Sequence, residues 1–277
     1  MALALQAEYC VIQNQHFSNA EISDDVHSIL EAIEEVDTEQ AEVNDLFTLI
    51  RNHSEILKQA CISGCLCVLL PVISERSVLK NLTYELFAVL GREPHLEIYL
   101  YPYGQPSFLM SLARINREAQ ATKPVWILAL NTKYTDAVNS HDSFILAACT
   151  EHSPGVRLGT ALIDLDSVKQ DIAVEKVVKQ LGISSRKEIS DLAFTLGSDD
   201  PLWLHHLDGL SPWITANTQY HFSDIKIGAL GACNGLLKAI NLHHQQKLQP
   251  NSSFQALQLD IEPGGYVAGT IFGWSND

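Results

Sequence analysis

The first fifty residues contain no lysine and no arginine; the first basic side chain is Arg51. Eleven carboxylates fill that stretch, from Glu8 to Asp45, so it carries −11 on its own. The whole chain has 33 acidic and 18 basic residues, which leaves 22 acids against 18 bases over residues 51–277, a balance of only −4. Without a basic stripe the chain repels a phosphate backbone, which argues against nucleic acid as a partner and equally against an anionic membrane surface. Long apolar runs are also missing. A stretch such as Cys65–Ile73 falls far short of the roughly 18 to 20 residues of a membrane-spanning helix. No Lys or Arg precedes the apolar residues 2–5, and Glu8 follows them at once. The order of a secretory signal is therefore absent, and the expected compartment is the cytoplasm.

Metal-ligand spacings are equally scarce. The six cysteines lie at 10, 61, 65, 67, 149 and 233; in a chain of this size without an export signal they read as reduced thiols. Cys61, Cys65 and Cys67 lack both C-x-x-C spacing and a nearby histidine, so they read as small apolar strand residues. His205-His206 and His243-His244 are sequence neighbours, whose side chains diverge on a strand or a helix, and they read as surface or capping groups. These residues call for no metal and no cofactor.

What the sequence does contain is the material of a core: 46% apolar and 18% charged residues. Residues 20–60 show helical spacing beneath their acidic cover, with Ile22, Val26, Ile29, Leu30 and Ile33 and then Val43, Leu46, Phe47 and Ile50. They are expected to form an acidic helical segment over 1–60. From residue 61 short apolar runs alternate with amphipathic stretches, as in an α/β domain. Strands are expected at 65–73, 96–101 and 125–130, with helices over 78–90 and 106–120. The run Val125–Leu130 is apolar at every position, as parallel strands covered on both faces tend to be. Two further strands, 144–149 and 157–165, suggest a hairpin around Ser153-Pro154-Gly155. Then follow a helix over 167–181, strands at 189–196 and 213–218, a helix over 228–246, and a closing hairpin of 254–261 with 266–272. The expected halves are 61–165 and 166–277.

Two segments carry a family resemblance. Phe222–Leu236, with Lys226, Gly228, Ala229, Gly231 and Ala232, is similar to the Lys-x-x-x-Gly-His-x-x-Gly-Ala-Ala-Gly segment of the thiolase and β-ketoacyl synthase superfamily. Gly264–Phe272 resembles that family's closing Gly-Gly-x-Asn-x-x-x-x-Phe strand. The resemblance spans roughly residues 64–273. It implies an α/β, thiolase-like layered α-β-α-β-α fold with two pseudo-symmetric halves, here with acidic N-terminal helices added. It also implies that the strand Leu96, Glu97, Ile98, Tyr99, Leu100, Tyr101 is a dimer edge, and that the turn after it stands where the family keeps its nucleophile.

The departures from the family pattern decide the functional expectation. Condensing enzymes attack an acyl thioester with a Cys at the start of a buried helix, where the dipole and backbone N–H groups lower the thiol pKa. Here the turn holds Tyr103, Gly104, Gln105 and Ser107, with no Cys. The expected His near Gly228 and Ala229 is also missing, and no His lies between 222 and 242. His205 and His206 are the nearest remaining candidates. Losing members of such a unit together leaves little to catalyse condensation, so these six positions read as a degenerate site with no catalytic residue and no acyl ligand. The expected function is a non-catalytic thiolase-like protein binding another protein as a homodimer or heterodimer. Thiolase-like proteins without the active residues also occur as adaptor or accessory proteins of bacterial type VI secretion. The alternative is an inactive partner subunit of a β-ketoacyl synthase in fatty-acid or polyketide-like synthesis. An enzyme using Ser107, Cys233 or a histidine is a third reading.

Overall fold

The computed structural model describes residues 2–12, 15–18, 46–61, 63–91, 95–120, 122–132, 142–164, 170–184, 188–194, 210–221, 230–262 and 265–276. Side-chain parity along the strands builds its layers. In β3 (Gly64–Leu69), Cys65, Cys67 and Leu69 enter one apolar cluster while Leu66 and Val68 enter another on the opposite face. In β5 (Val125–Asn131), Val125, Ile127 and Ala129 join the first cluster, and Leu128 and Leu130 the second. Successive strand residues point to opposite faces, so a run without polar interruptions requires cover on both sides.

β3 lies between β5 and β4 (Leu96–Tyr101), parallel to each. β5 pairs antiparallel with β6 (Ser143–Glu151), and β6 antiparallel with β1 (Leu3–Ile12). A two-residue β2 (Gln15–His16) turns back on β1. The second half repeats that order: β9 (Asp191–Phe194) lies parallel between β10 (Gln219–His221) and β11 (Gln255–Ile261). β11 then pairs antiparallel with β12 (Val267–Ser275), and β12 with β7 (Gly155–Arg157) and β8 (Leu162–Asp164). Among the described residues, β7 pairs with β1 at Leu3 and Val156 and so joins the two half-sheets.

Helices complete the layers. α1 (Leu46–Asn52), α2 (Ser54–Ala60) and α3 (Arg76–Leu90) cover the outer face of the first half-sheet through Leu46, Ile50, Leu57, Leu82, Leu86 and Leu90. The last three of these recur every four residues, and α3 ends at Gly91, whose φ of 77° favours a glycine. α5 (Gln170–Ser184) covers the outer face of the second with Val174, Val177, Val178 and Leu181. Between the half-sheets lie α4 (Ser107–Glu118) and α6 (Ala232–Leu248), packed on one another; α6 is buried along most of its length, while α4 keeps Ala113, Asn116 and Arg117 exposed. The result is the α-β-α-β-α layering with two related halves.

Four expectations are corrected. Residues 3–12 are a core strand and not part of an acidic helical segment, because their alternation buries Leu3, Leu5 and Ala7 against the central layer. Of residues 20–60, only 46–60 are described and helical; 20–45 lie outside the described residues. The halves divide near Ser153, since β1 opens the first and β7 the second, rather than at 61 and 166. Strands β6 and β7 form no hairpin, because β1 stands between them. Finally, residues 213–218 are turns, and the short β10 begins only at Gln219.

Candidate functional site

The turn after β4 delivers the chain into α4, one of the two central helices. Gly104 has φ 66°, a left-handed conformation that glycine adopts without steric cost. Its N–H donates to the Leu70 carbonyl at 3.0 Å, and the Ser107 N–H donates to the Gly104 carbonyl at 3.0 Å. Ser107 is fully buried. Its hydroxyl accepts from the Tyr103 N–H at 3.1 Å and lies 2.7 Å from the Tyr101 carbonyl and 3.2 Å from that of Leu70. Those three backbone groups commit Ser107 to holding the turn, and no base touches it among the described contacts.

Opposite this turn stands Glu262, the first residue after β11. Its Oε2 accepts from the Gln105 N–H at 2.8 Å. A Cβ placed on Gly104 would lie 2.1 Å from Oε2 and 2.9 Å from Oε1, so the carboxylate fills the space a side chain at 104 would need. Burial pushes the Glu262 carboxyl up to about 7, against the pull of the Gln105 amide. Tyr103 and Tyr266 close over this point edge to face, ring centroids 5.2 Å apart.

The start of α6 meets the same turn. Gly235 lies so close to it that a Cβ there would sit 2.6 Å from the Gln105 carbonyl oxygen and 2.8 Å from Asp260 Oδ2. Beneath lies a buried polar group. Lys238 Nζ is 2.5 Å from Asp260 Oδ1, with both side chains essentially inaccessible. Gln258 Nε2 donates to Asp260 Oδ2 and to the Gly235 carbonyl, each at 2.8 Å. Burial pushes Asp260 up, while Lys238 and Gln258 hold it down. Sequence reasoning missed this cluster and took Glu262 for a hairpin residue. Lys238, Gln258 and Asp260 interrupt apolar stretches, and only their facing one another across α6 and β11 explains their burial.

The remaining candidates separate. Gly228, Ala229, His205 and His206 lie outside the described residues. Gly231, at φ 49°, opens α6 beside Asn131. Cys233 is buried in α6, 3.8 Å from the Ser143 carbonyl, and burial pushes its thiol up to about 12. Cys61 faces the outer cluster while Cys65 and Cys67 face the central one, so the sheet divides them. No group of three potential metal ligands occurs among the described residues. His243, expected at the surface, is buried 5.7 Å from the Trp274 ring, and burial pushes it down to about 4. The expected edge residues Leu96–Tyr101 do form a terminal strand: among the described residues β4 pairs with β3 alone. The Arg114 guanidinium stacks on Tyr99 at 3.8 Å there.

Chemically, then, the described part of the site offers a backbone N–H in the turn before α4 and a carboxylate already bound to it. A separate small apolar cavity of about 20 Å³, room for about one water molecule, lies between β1, α4 and α6; Leu5, Phe108, Leu112, Ala239, His243 and Phe272 line it.

No family model matches this chain, and no curated protein does. Solved structures match along nearly all of it. The acyltransferase ChlB3 is 12% identical with a TM-score of 0.62, over 99% of this chain and 98% of that one. The ishigamide ketosynthase/chain length factor is 11% identical with a TM-score of 0.63, over 98% and 99%. The ketosynthase from module 1 of the bacillaene synthase of Bacillus amyloliquefaciens is 13% identical with a TM-score of 0.61, over 100% of this chain and 73% of that one. With this likeness over nearly its whole length, the chain has the thiolase-like fold of the ketosynthases.

Proposed function

We propose that this chain is a non-catalytic thiolase-like protein that works by binding another protein, in the role of an adaptor or accessory protein such as those of bacterial type VI secretion. The observation that carries the non-catalytic reading is the Glu262 carboxylate bound to the Gln105 N–H in the turn before α4. It stands where a nucleophile on Gly104 would project, and the neighbouring hydroxyl of Ser107 is held by backbone. The β4 edge is the proposed contact, as a homodimer or heterodimer edge. It is apolar and aromatic apart from Glu97 and leaves one row of backbone groups unpaired among the described residues, a surface that pairs with another strand or aggregates.

A second reading, an inactive partner subunit of a β-ketoacyl synthase, is supported by the full-length likeness to the ishigamide ketosynthase/chain length factor. A thiol-reactive acyl probe and a condensation assay with acyl-carrier and coenzyme A thioesters test the shared claim. The expected result is no stoichiometric labelling and no turnover; steady turnover that a cysteine or histidine substitution abolishes would overturn it. Co-purification of an active synthase would select the second reading over the first.

A further inference from the structure

We propose that Cys65 and Cys67 form a dithiol site for a soft metal ion of low coordination number, Cu(I) by chemical class. The two are alternate residues of β3, and a strand sends alternate side chains to the same face. Their sulfurs lie 3.9 Å apart, in mutual contact. Around them is the central apolar layer, and Tyr99, paired in register with Cys67, packs against that layer.

The separation chooses between the two uses of a thiol pair. A disulfide favours Cα atoms about 5.5–6 Å apart, whereas alternate residues of a strand stand about 6.6 Å apart. At both residues β3 is paired on either side, with β4 and with β5, so a bridge would shorten a strand that its neighbours hold extended. Chelation needs no such movement. Metal–thiolate bonds of about 2.3 Å drawn from sulfurs 3.9 Å apart meet at about 115°, close to the angle of a trigonal centre.

Ligand count then selects the ion. Structural zinc takes four ligands, and no group of three potential ligands occurs among the described residues. Calcium and magnesium require oxygen ligands, while thiolates in an apolar layer suit Cu(I). Two thiols and one Cu(I) give a bis-thiolate complex with one net negative charge and release both thiol protons to solvent, with no change of oxidation state. Arg114 of α4, which packs over β3, faces both sulfurs and supplies a compensating positive charge, while Glu97 and Glu118 face Cys65. Cys65 keeps slight exposure and Cys67 none, so the ion enters at Cys65, past the partly exposed Arg114 and Glu118 side chains. This goes beyond the protein-binding role and does not depend on it.

Anaerobic titration of the reduced chain with Cu(I), in competition with the chromogenic chelator bicinchoninate, tests the site. Wild type should take one ion per chain, and C65A and C67A should each bind at least about tenfold more weakly, the cost of losing even an outer-shell partner. C61A, whose thiol faces the opposite layer, should bind as wild type does. Copper left entirely with the chelator, undiminished binding in C65A or C67A, or an equal loss in C61A would each overturn the proposal. Where an alanine variant does not stay folded, wild type alone decides. Cu(I) is diamagnetic, and on its addition the backbone amide resonances of Cys65 and Cys67 should shift while those of Cys10, Cys61 and Cys233 stay; shifts at those three instead, or none anywhere, count against the site.

Discussion

Glu262 is the residue whose ionisation the fold feels most directly. Its carboxyl is raised from an ordinary value near 4.5 to about 7 by burial. The folded state therefore binds the proton more tightly than the unfolded state does, so this group's contribution to stability is fully present below about 4.5 and is lost as pH rises through 7. That rise corresponds to about 3 kcal/mol in order of magnitude. Urea midpoints measured from pH 4.5 to 8 should fall for wild type relative to E262Q, which has no carboxyl to ionise. Parallel curves for the two proteins would remove the buried-carboxyl account. None of this was legible in the sequence, where Glu262 and Gln105 are two polar residues 157 apart. The absence of a cysteine from 101–107 was legible; what replaces it was not, because the replacement comes from the other half of the chain.

Among the elements, legibility follows how much of a strand's environment its own composition records. β4 matches its expected span, 96–101, and β5 and α3 fall within a residue or two, because continuous apolar runs and four-residue spacing have few other uses. β1 escaped since Gln6, Glu8 and Tyr9 interrupt it and an acidic segment follows; the bulge between Ala7 and Tyr9 also breaks its alternation. β7, β8 and β10, three residues each, are too short to show a period. The difference matters for the N-terminus. Leu3, Leu5, Cys10, Val11 and Ile12 are all buried, and large apolar side chains are worth roughly 1.5–3 kcal/mol each. Their sum rivals the entire stability of an ordinary domain, about 5–15 kcal/mol. Deleting residues 2–12 should therefore leave the protein insoluble or without a cooperative melt. A soluble deletion variant with an unchanged midpoint would mean that this strand is peripheral.

At the scale of the molecule, the sheet ends in two strands with opposite demands. β10 is three residues long, with Gln219 and Tyr220 exposed, and short polar edges are one way in which sheets avoid association. β4 is twice that length and half buried, and its single acidic residue, Glu97, is already bonded to the Tyr99 hydroxyl. If a second copy or a partner strand adds to the sheet, β4 is where the backbone groups and apolar surface are available together. Around a two-fold axis, a lysine at 98 would bring like charges across the strand pair, an arrangement that costs free energy, while in a monomer its long stem can carry the charge to water. I98K should weaken self-association or partner capture at least about tenfold, equivalent to about 1.4 kcal/mol, and leave the far-ultraviolet circular dichroism unchanged. Y220K, at the opposite edge, should leave the assembly mass as it is. Sedimentation velocity across a concentration series distinguishes the cases. Equal assembly of I98K and wild type would place the contact away from β4, and a wild type that is monomeric and captures no partner would remove the protein-binding role argued from this edge.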